Sequence, residues 1–229
     1  LLLALLSLAL GLVLGRAVLP LPQQSPGLAD FVRADLHRSG VRNPVTAVLL
    51  NFRGYDTLLE VGVLLLAVLG VWALPGEHAP APPVGAAVAG PVLSVFVRLV
   101  APLMVIVGGY ILWAGAHAPG GAFQGGAVLA AAGVLLLLSD VFRLPGVSGW
   151  YLRVALALGF AVFLAVAGGV MVTGGALLEY PRHWAGSLIL LIETTLTLSI
   201  ACILVSLFVG AQPGKSSTAP VGQTRGKGQ

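Results

Sequence analysis

Glu193 is an acid within the apolar run 187–209, with Thr194 beside it and Thr197 one turn on. At 1.5 Å per residue it lies about 10 Å below the start of that run. A charged side chain at the centre of a bilayer helix costs about 2.5–3.5 kcal/mol on insertion scales, so it persists where it has a protein partner or a task. Two readings follow for Glu193. It pairs with a basic residue or hydroxyl of a neighbouring subunit, or it relays a proton or cation. Asp56 and Glu60 stand four residues apart, with Arg53 three residues before Asp56. On a continuous helix the three share one face and form an ion-paired cluster. A break at Gly54 would instead leave Glu60 in a first turn, where a carboxylate favours a helix N-terminus. His117 sits in a short link with Pro119, Gly120 and Gly121 after it. A histidine in such a loop is structural on the plain reading and able to exchange protons near neutrality on the other. Asp140 and Glu179 close their spans near loops and read as solvated.

Other chemistry is missing from the pattern. No second His or Cys stands at metal-ligand spacing, and no Ser/His/Asp arrangement appears. The stretch GGAFQGG lacks the preceding strand and the GK[ST] of a phosphate loop. Cys202 is the single cysteine, so it supports neither an intrachain disulfide nor a thiolate cluster. Neither an enzyme nor a metal or cofactor site is expected.

The elements that must position these residues are membrane helices. Of the 229 residues 58% are hydrophobic and only 9% charged, with a mean hydropathy of +1.00. A soluble globule carries roughly a quarter charged residues, so this composition points to a polytopic membrane protein. The basic residues sit singly in loops and at helix ends, without an aromatic-interleaved stripe. They read as membrane-surface anchors, and nucleic acid is not an expected partner. The fold class is all-α, with about six transmembrane helices over 1–19, 57–74, 94–114, 123–138, 150–173 and 187–209. The segment 28–38 reads as a short interfacial amphipathic piece. Residues 45–74, with the polar interruption NFRGYD, resemble a broken membrane helix whose freed backbone lines a cavity.

Pro102 and the pair Gly108-Gly109 can bend the third span. Gly11 and Gly15, and the row Ala161, Ala165, Gly169, permit close helix contact. The chain opens at Leu1 inside a hydrophobic stretch, which suggests a piece of a longer reading frame; a secretory signal would need a basic segment ahead of it. A Pro/Ala/Gly linker over 76–92 divides a two-helix module, 1–75, from a four-helix module, 93–210. A polar, disordered tail follows over 211–229.

Two stretches resemble a known family. HAPGGAFQGG, residues 117–126, closely resembles the signature link of the B subunit of multi-subunit cation/proton antiporters. NFRGYDTLLE, residues 51–60, resembles the segment near the C-terminal end of the large A subunit of the same complexes, carried as a small separate subunit in related membrane-bound hydrogenases. The resemblance implies a fusion of an A-subunit-tail (hydrogenase E-type) module with a B-type module. It further implies a place in a complex of the cytoplasmic membrane that exchanges Na+ for H+, with other membrane subunits and the lipid bilayer as partners. In that family the acid closing the NFRGYDTLLE-type segment, here Glu60, is implicated in ion transfer, and Pro119 and Phe123 of the link are thought important to activity. Ala122 replaces a glycine common in the link, and Gln124 stands where an apolar residue is usual. The expected ion path is Glu60, Asp56, Arg53, Glu193 and His117. Pro119, Gly120 and Gly121 would form a tight turn that lets Phe123 shape an adjoining cavity. No lysine occurs in any span, so the chain alone is not expected to transport.

Overall fold

The structure, a computed structural model, describes residues 2–19, 27–73, 90–139, 141, 149–172 and 177–210. Every regular element among them is helical, in keeping with the all-α expectation. Asp140, most of the expected linker and the expected tail lie outside the described residues.

The chain divides into two compact units, Leu1–Asp35 and Leu36–Gln229. The first holds α1 (Leu2–Val18), an apolar helix of about 25 Å at 1.5 Å per residue, and α2 (Ala29–Asp35). Within 4 Å of a Cβ position on Gly11 or Gly15 of α1 no described atom stands.

The second unit begins with a 3-10 turn, Leu36–Arg38, and then α3 (Pro44–Ala47). The Asn43 side chain accepts from the Val45 N–H at 3.1 Å, and Pro44 occupies a first-turn position where no donor is needed. α3 passes into a π-helical turn, Val48–Phe52, which ends at Arg53 with φ −132° and ψ 35°. α4 (Gly54–Ala73) then starts afresh. The Thr57 hydroxyl donates to the Leu49 carbonyl at 2.6 Å, satisfying a backbone group that the break has freed. The helix is therefore broken as expected. Arg53 lies outside α4, Asp56 in its first turn and Glu60 in its second.

α5 (Pro91–Ala114), α6 (Ala122–Leu138), α7 (Gly149–Val172) and α8 (Ala185–Val209) complete the unit. α8 is the central helix, packed by α4, α6 and α7 and touched by α5. Glycines set the closest approaches. A Cβ on Gly126 would stand 2.9 Å from Ile200 Cγ2, and one on Gly159 would stand 2.9 Å from the Leu196 α-carbon. Gly121 lies against Glu193, Gly126 against Ile200 and Gly133 against Val205, so α6 and α8 run parallel in a constant register. In that register α6 begins nine residues, or about 13 Å, further along the bundle than α8 does. α7 buries Leu156, Gly159, Phe163, Ala167 and Val170. Ala161, Ala165 and Gly169 are on its exposed side, so that small-residue row faces away from the chain's own core.

α4, α5, α7 and α8 are long and apolar enough to cross a membrane, and the shorter helices over Ala4–Arg16 and Ala122–Leu138 are also apolar. The protein is a multi-pass membrane protein.

Candidate functional site: a buried carboxylate on a helix N-terminus

Three elements build the site. α8 carries Glu193, which is 3% exposed and flanked on its own helix by Ile189, Ile192, Leu196 and Thr197, all buried. The Thr197 hydroxyl donates to the Glu193 main-chain carbonyl at 2.7 Å, leaving the carboxylate to other partners. α6 supplies such a partner. Its first residue, Ala122, turns its backbone N–H toward the Glu193 carboxylate. The residue before it, Gly121, has φ 111° and ψ −167°, a backbone state essentially confined to glycine. A Cβ there would stand 2.7 Å from Glu193 Oε1. Gly121 is thus required twice, for its dihedral and for the space that the carboxylate fills. A helix N-terminus presents unpaired N–H groups and the positive end of the backbone dipole, which suits an anionic side chain. No cation pairs with Glu193 among the described residues.

The third element is the link Gly115–Gly121 between α5 and α6. It folds back on α5, with the Gly121 N–H donating to the Ile111 carbonyl at 3.0 Å. Its carbonyls are held by the segment before α3. The Asn43 side-chain amide donates to Gly115 O at 3.2 Å and to Ala118 O at 2.6 Å. The Thr46 hydroxyl donates to Gly115 O. The backbone N–H groups of Arg42 and Asn43 both reach Ala116 O, at 2.9 and 3.1 Å. Asn43 and Thr46 are buried. Because α6 starts well below the level at which α8 starts, this irregular backbone lies within the depth of the bundle. There it is tolerated only with its polar groups satisfied by protein or water.

The structure brings some expected site residues together and separates others. Glu193 and the link residues Gly120 and Gly121 converge, and Phe123 is half-buried against the same core. Arg53 and Asp56 form an ion pair, both partly exposed. Glu60 is exposed on the outer face of α4 with Leu59, Val63 and Leu66, and makes no hydrogen bond or ion pair among the described residues. Gly62 lies against Phe160, while the adjacent Gly159 meets Leu196 and Ser199. Counting back along α4 places Glu60 within about one helical turn of the level of Glu193. His117 is exposed, its ring 5.7 Å from that of Trp113, which is 6.2 Å from Tyr110. It belongs to an aromatic row on the outer side of α5, and nothing joins it to Glu193 among the described residues. Pro119 is exposed as well.

Sequence reasoning missed Asn43 and Thr46. An asparagine directly before a proline is a helix-cap signal that would have flagged the first, but nothing local says that its amide reaches across to residue 118.

The fold and site define a polytopic membrane subunit in which an intramembrane acid is seated on the N-terminus of a neighbouring helix. The chain belongs to the family described as a domain related to the MnhB subunit of Na+/H+ antiporter, whose model matches residues 92–213. Residues 2–89 match the MbhE family, described as the E subunit of MBH, in keeping with the expected fusion of a B-type with an E-type module. The uncharacterized protein MJ1307 of Methanocaldococcus jannaschii is 32% identical over 134 residues, 51% of this chain and 50% of that protein. The chain thus spans about half the length of that relative. A chain of the membrane-bound sulfane sulfur reductase, an archaeal respiratory membrane complex, superposes with a TM-score of 0.71 at 26% identity, covering 91% of this chain and 95% of its own. A chain of the Mrp complex from Dietzia sp. DQ12-45-1b shares the fold, with a TM-score of 0.65 at 24% identity over 93% of this chain and 26% of its own.

Proposed function

We propose that this protein is an integral subunit of a multi-subunit monovalent cation/proton antiporter, exchanging Na+ for H+ across the cell membrane, and that it contributes both to the ion path and to assembly. It is a transporter subunit and not an enzyme. The observation that carries this reading is Glu193, an acid buried at membrane depth whose seat is built by the link that also bears the antiporter-like signature. A buried acid without a cation beside it is suited to taking up and releasing a charge. The exposed acid Glu60, beside the Arg53–Asp56 pair, faces outward where a companion membrane subunit would complete its surroundings.

The test is Glu193→Gln in the assembled complex, assayed for sodium-dependent proton movement in inverted vesicles. Exchange should be abolished while the subunits still co-purify. Normal exchange would remove Glu193 from the mechanism. One observation favours a second reading. The near end-to-end match to a chain of a respiratory membrane complex suits a structural subunit of a hydrogenase-like or complex-I-like assembly, in which Glu193 only fastens α8 to α6. On that reading the same variant loses assembly first, and exchange only as a consequence.

A further inference from the structure

We infer that Glu193 is a proton-only site: its surroundings accept H+ and exclude Na+. The inference rests on the ion-path reading above and names the ion that this acid handles. A hard monovalent cation needs several oxygen ligands directed at it at once. Where broken membrane helices bind such a cation, unwound backbone carbonyls supply many of those oxygens. Here the irregular segment beside the acid is turned the other way. What it offers the carboxylate is a donor, the Ala122 N–H, at the positive end of α6. The Gly121 α-carbon fills the space against Oε1, where an added Cβ would stand 2.7 Å away.

The carbonyls of Gly115, Ala116 and Ala118 are engaged by Asn43, Thr46 and the Arg42 and Asn43 N–H groups. The Thr197 hydroxyl is committed to the Glu193 main chain. The Gln124 side-chain oxygen lies 3.9 Å from the position a Cβ on Gly121 would take. The helix dipole works against any positive charge at the carboxylate, H+ included; what separates the two ions is space and ligands, since a proton needs a single lone pair and no cage. Asn43 and Thr46 are positioning residues here, since they hold the link whose Gly121 lies against the carboxylate.

Among the described residues no second acid is buried beside Glu193; Glu179 of the α7–α8 loop is exposed. α6 carries no charged or titratable group. α4 presents Asp56 to Arg53 and Glu60 outward. On α5, Arg98 lies toward the far end and Tyr110 is exposed; on α7, Tyr151 and Arg153 lie at the far end and are exposed. His117 of the link is exposed, Tyr180 is buried in the α7–α8 loop, and Cys202 is nine residues further along α8.

The experiment is difference infrared spectroscopy on the assembled complex in lipid, wild type against Glu193→Gln, titrated with pH in NaCl and in choline chloride. Equilibrium binding of radioactive sodium to both forms accompanies it. A carboxylic-acid band that the variant lacks should titrate with the same midpoint in both salts, and sodium binding should be equal in the two forms. Competition between Na+ and H+ for one carboxylate would lower that midpoint by about one pH unit per tenfold increase in Na+, by linkage. Such a shift, the loss of a bound sodium in the variant, or the absence of any band lost in the variant each overturns the inference. Normal exchange by Glu193→Gln with a sodium-insensitive band would instead sink only the ion-path reading.

Discussion

Gly121→Ala is the sharpest probe of the site, because two independent effects converge on one methyl group. The backbone at φ 111° and ψ −167° lies in a region that side-chain-bearing residues reach only at a cost of about 1–3 kcal/mol. The new Cβ would also stand 2.7 Å from Glu193 Oε1, so either the carboxylate or the start of α6 must move. Moving either draws the carboxylate away from the positive end of α6, an interaction that contributes up to about 2 kcal/mol where it is partly buried. The two effects together predict a loss of about 2–5 kcal/mol. Gly109→Ala is the control. It lies on the same hairpin with nothing within 4 Å of its Cβ position, and should change stability by no more than about 1 kcal/mol. Unfolding in mixed micelles reads both variants. Repeating Gly121→Ala in a Glu193→Ala background separates the terms, since the dihedral penalty survives and the clash with the carboxylate does not. Equal losses in the two backgrounds would refute the placement of Glu193 against the link, and a Gly121→Ala chain as stable as Gly109→Ala would refute both terms.

Asn43→Ala should destabilise the purified chain by about 2–4 kcal/mol, because it leaves the Ala118 carbonyl without its amide donor and deprives Gly115 of one of two; Thr46→Val should cost less, since Gly115 keeps the Asn43 bond. Thermal unfolding ranks the two, and a larger effect at Thr46 would contradict the clamp. Tyr180 lies in the α7–α8 loop, buried and with its hydroxyl unpartnered among the described residues, and burial pushes its phenol well above the ordinary range. The sign follows from the raised folded value: stability is unaffected below the ordinary phenol value of about 10, and falls at higher pH as the unfolded phenol ionises while the folded one stays neutral. Tyr180→Phe should remove that alkaline slope and raise stability at neutral pH by up to about 1–3 kcal/mol, as expected for removing an unsatisfied buried hydroxyl. An unchanged alkaline limb of the unfolding curve would show that Tyr180 is not its source.

Hydropathy located the spans because the bilayer demands long apolar runs whatever the tertiary packing, and the break near Arg53 was legible because NFRGYD interrupts such a run. That Glu193 would need protein surroundings was legible for the same reason, as an acid where acids are expensive. Its partner was not. The link lies some 70 residues earlier in the chain, and the two meet only because α6 and α8 run parallel with glycines at 121, 126 and 133 along their seam. Those glycines were visible, but α6 and α8 are apolar all round, so periodicity could not tell which face of either helix is inward. The same blindness explains why the row Ala161, Ala165, Gly169 drew notice while the buried face of α7 is marked by Gly159, Phe163 and Ala167. Asn43 escaped because its role is a long-range bond to main-chain carbonyls, which carry no side-chain signal at all.

The positions of the two acids constrain how charge could pass between them. They lie at similar depth, but Glu193 is buried on α8 against the start of α6 while Glu60 is exposed on α4. The inner side of α4 at that level is Thr57, Leu58 and Val61, all buried. A helix with its side chains is about 10 Å across, whereas a proton passes along a hydrogen bond spanning only about 2.5–3.0 Å between oxygens. Among the described residues no hydrogen bond links the two carboxylates. The Thr57 hydroxyl, on the buried face of α4, is committed to the Leu49 carbonyl that the helix break frees. Any exchange of charge between Glu60 and Glu193 must run over water or over groups of a companion subunit laid against the outer face of α4. That requirement gives a physical reason why two carboxylates in one small chain would need the assembled complex to work as a pair.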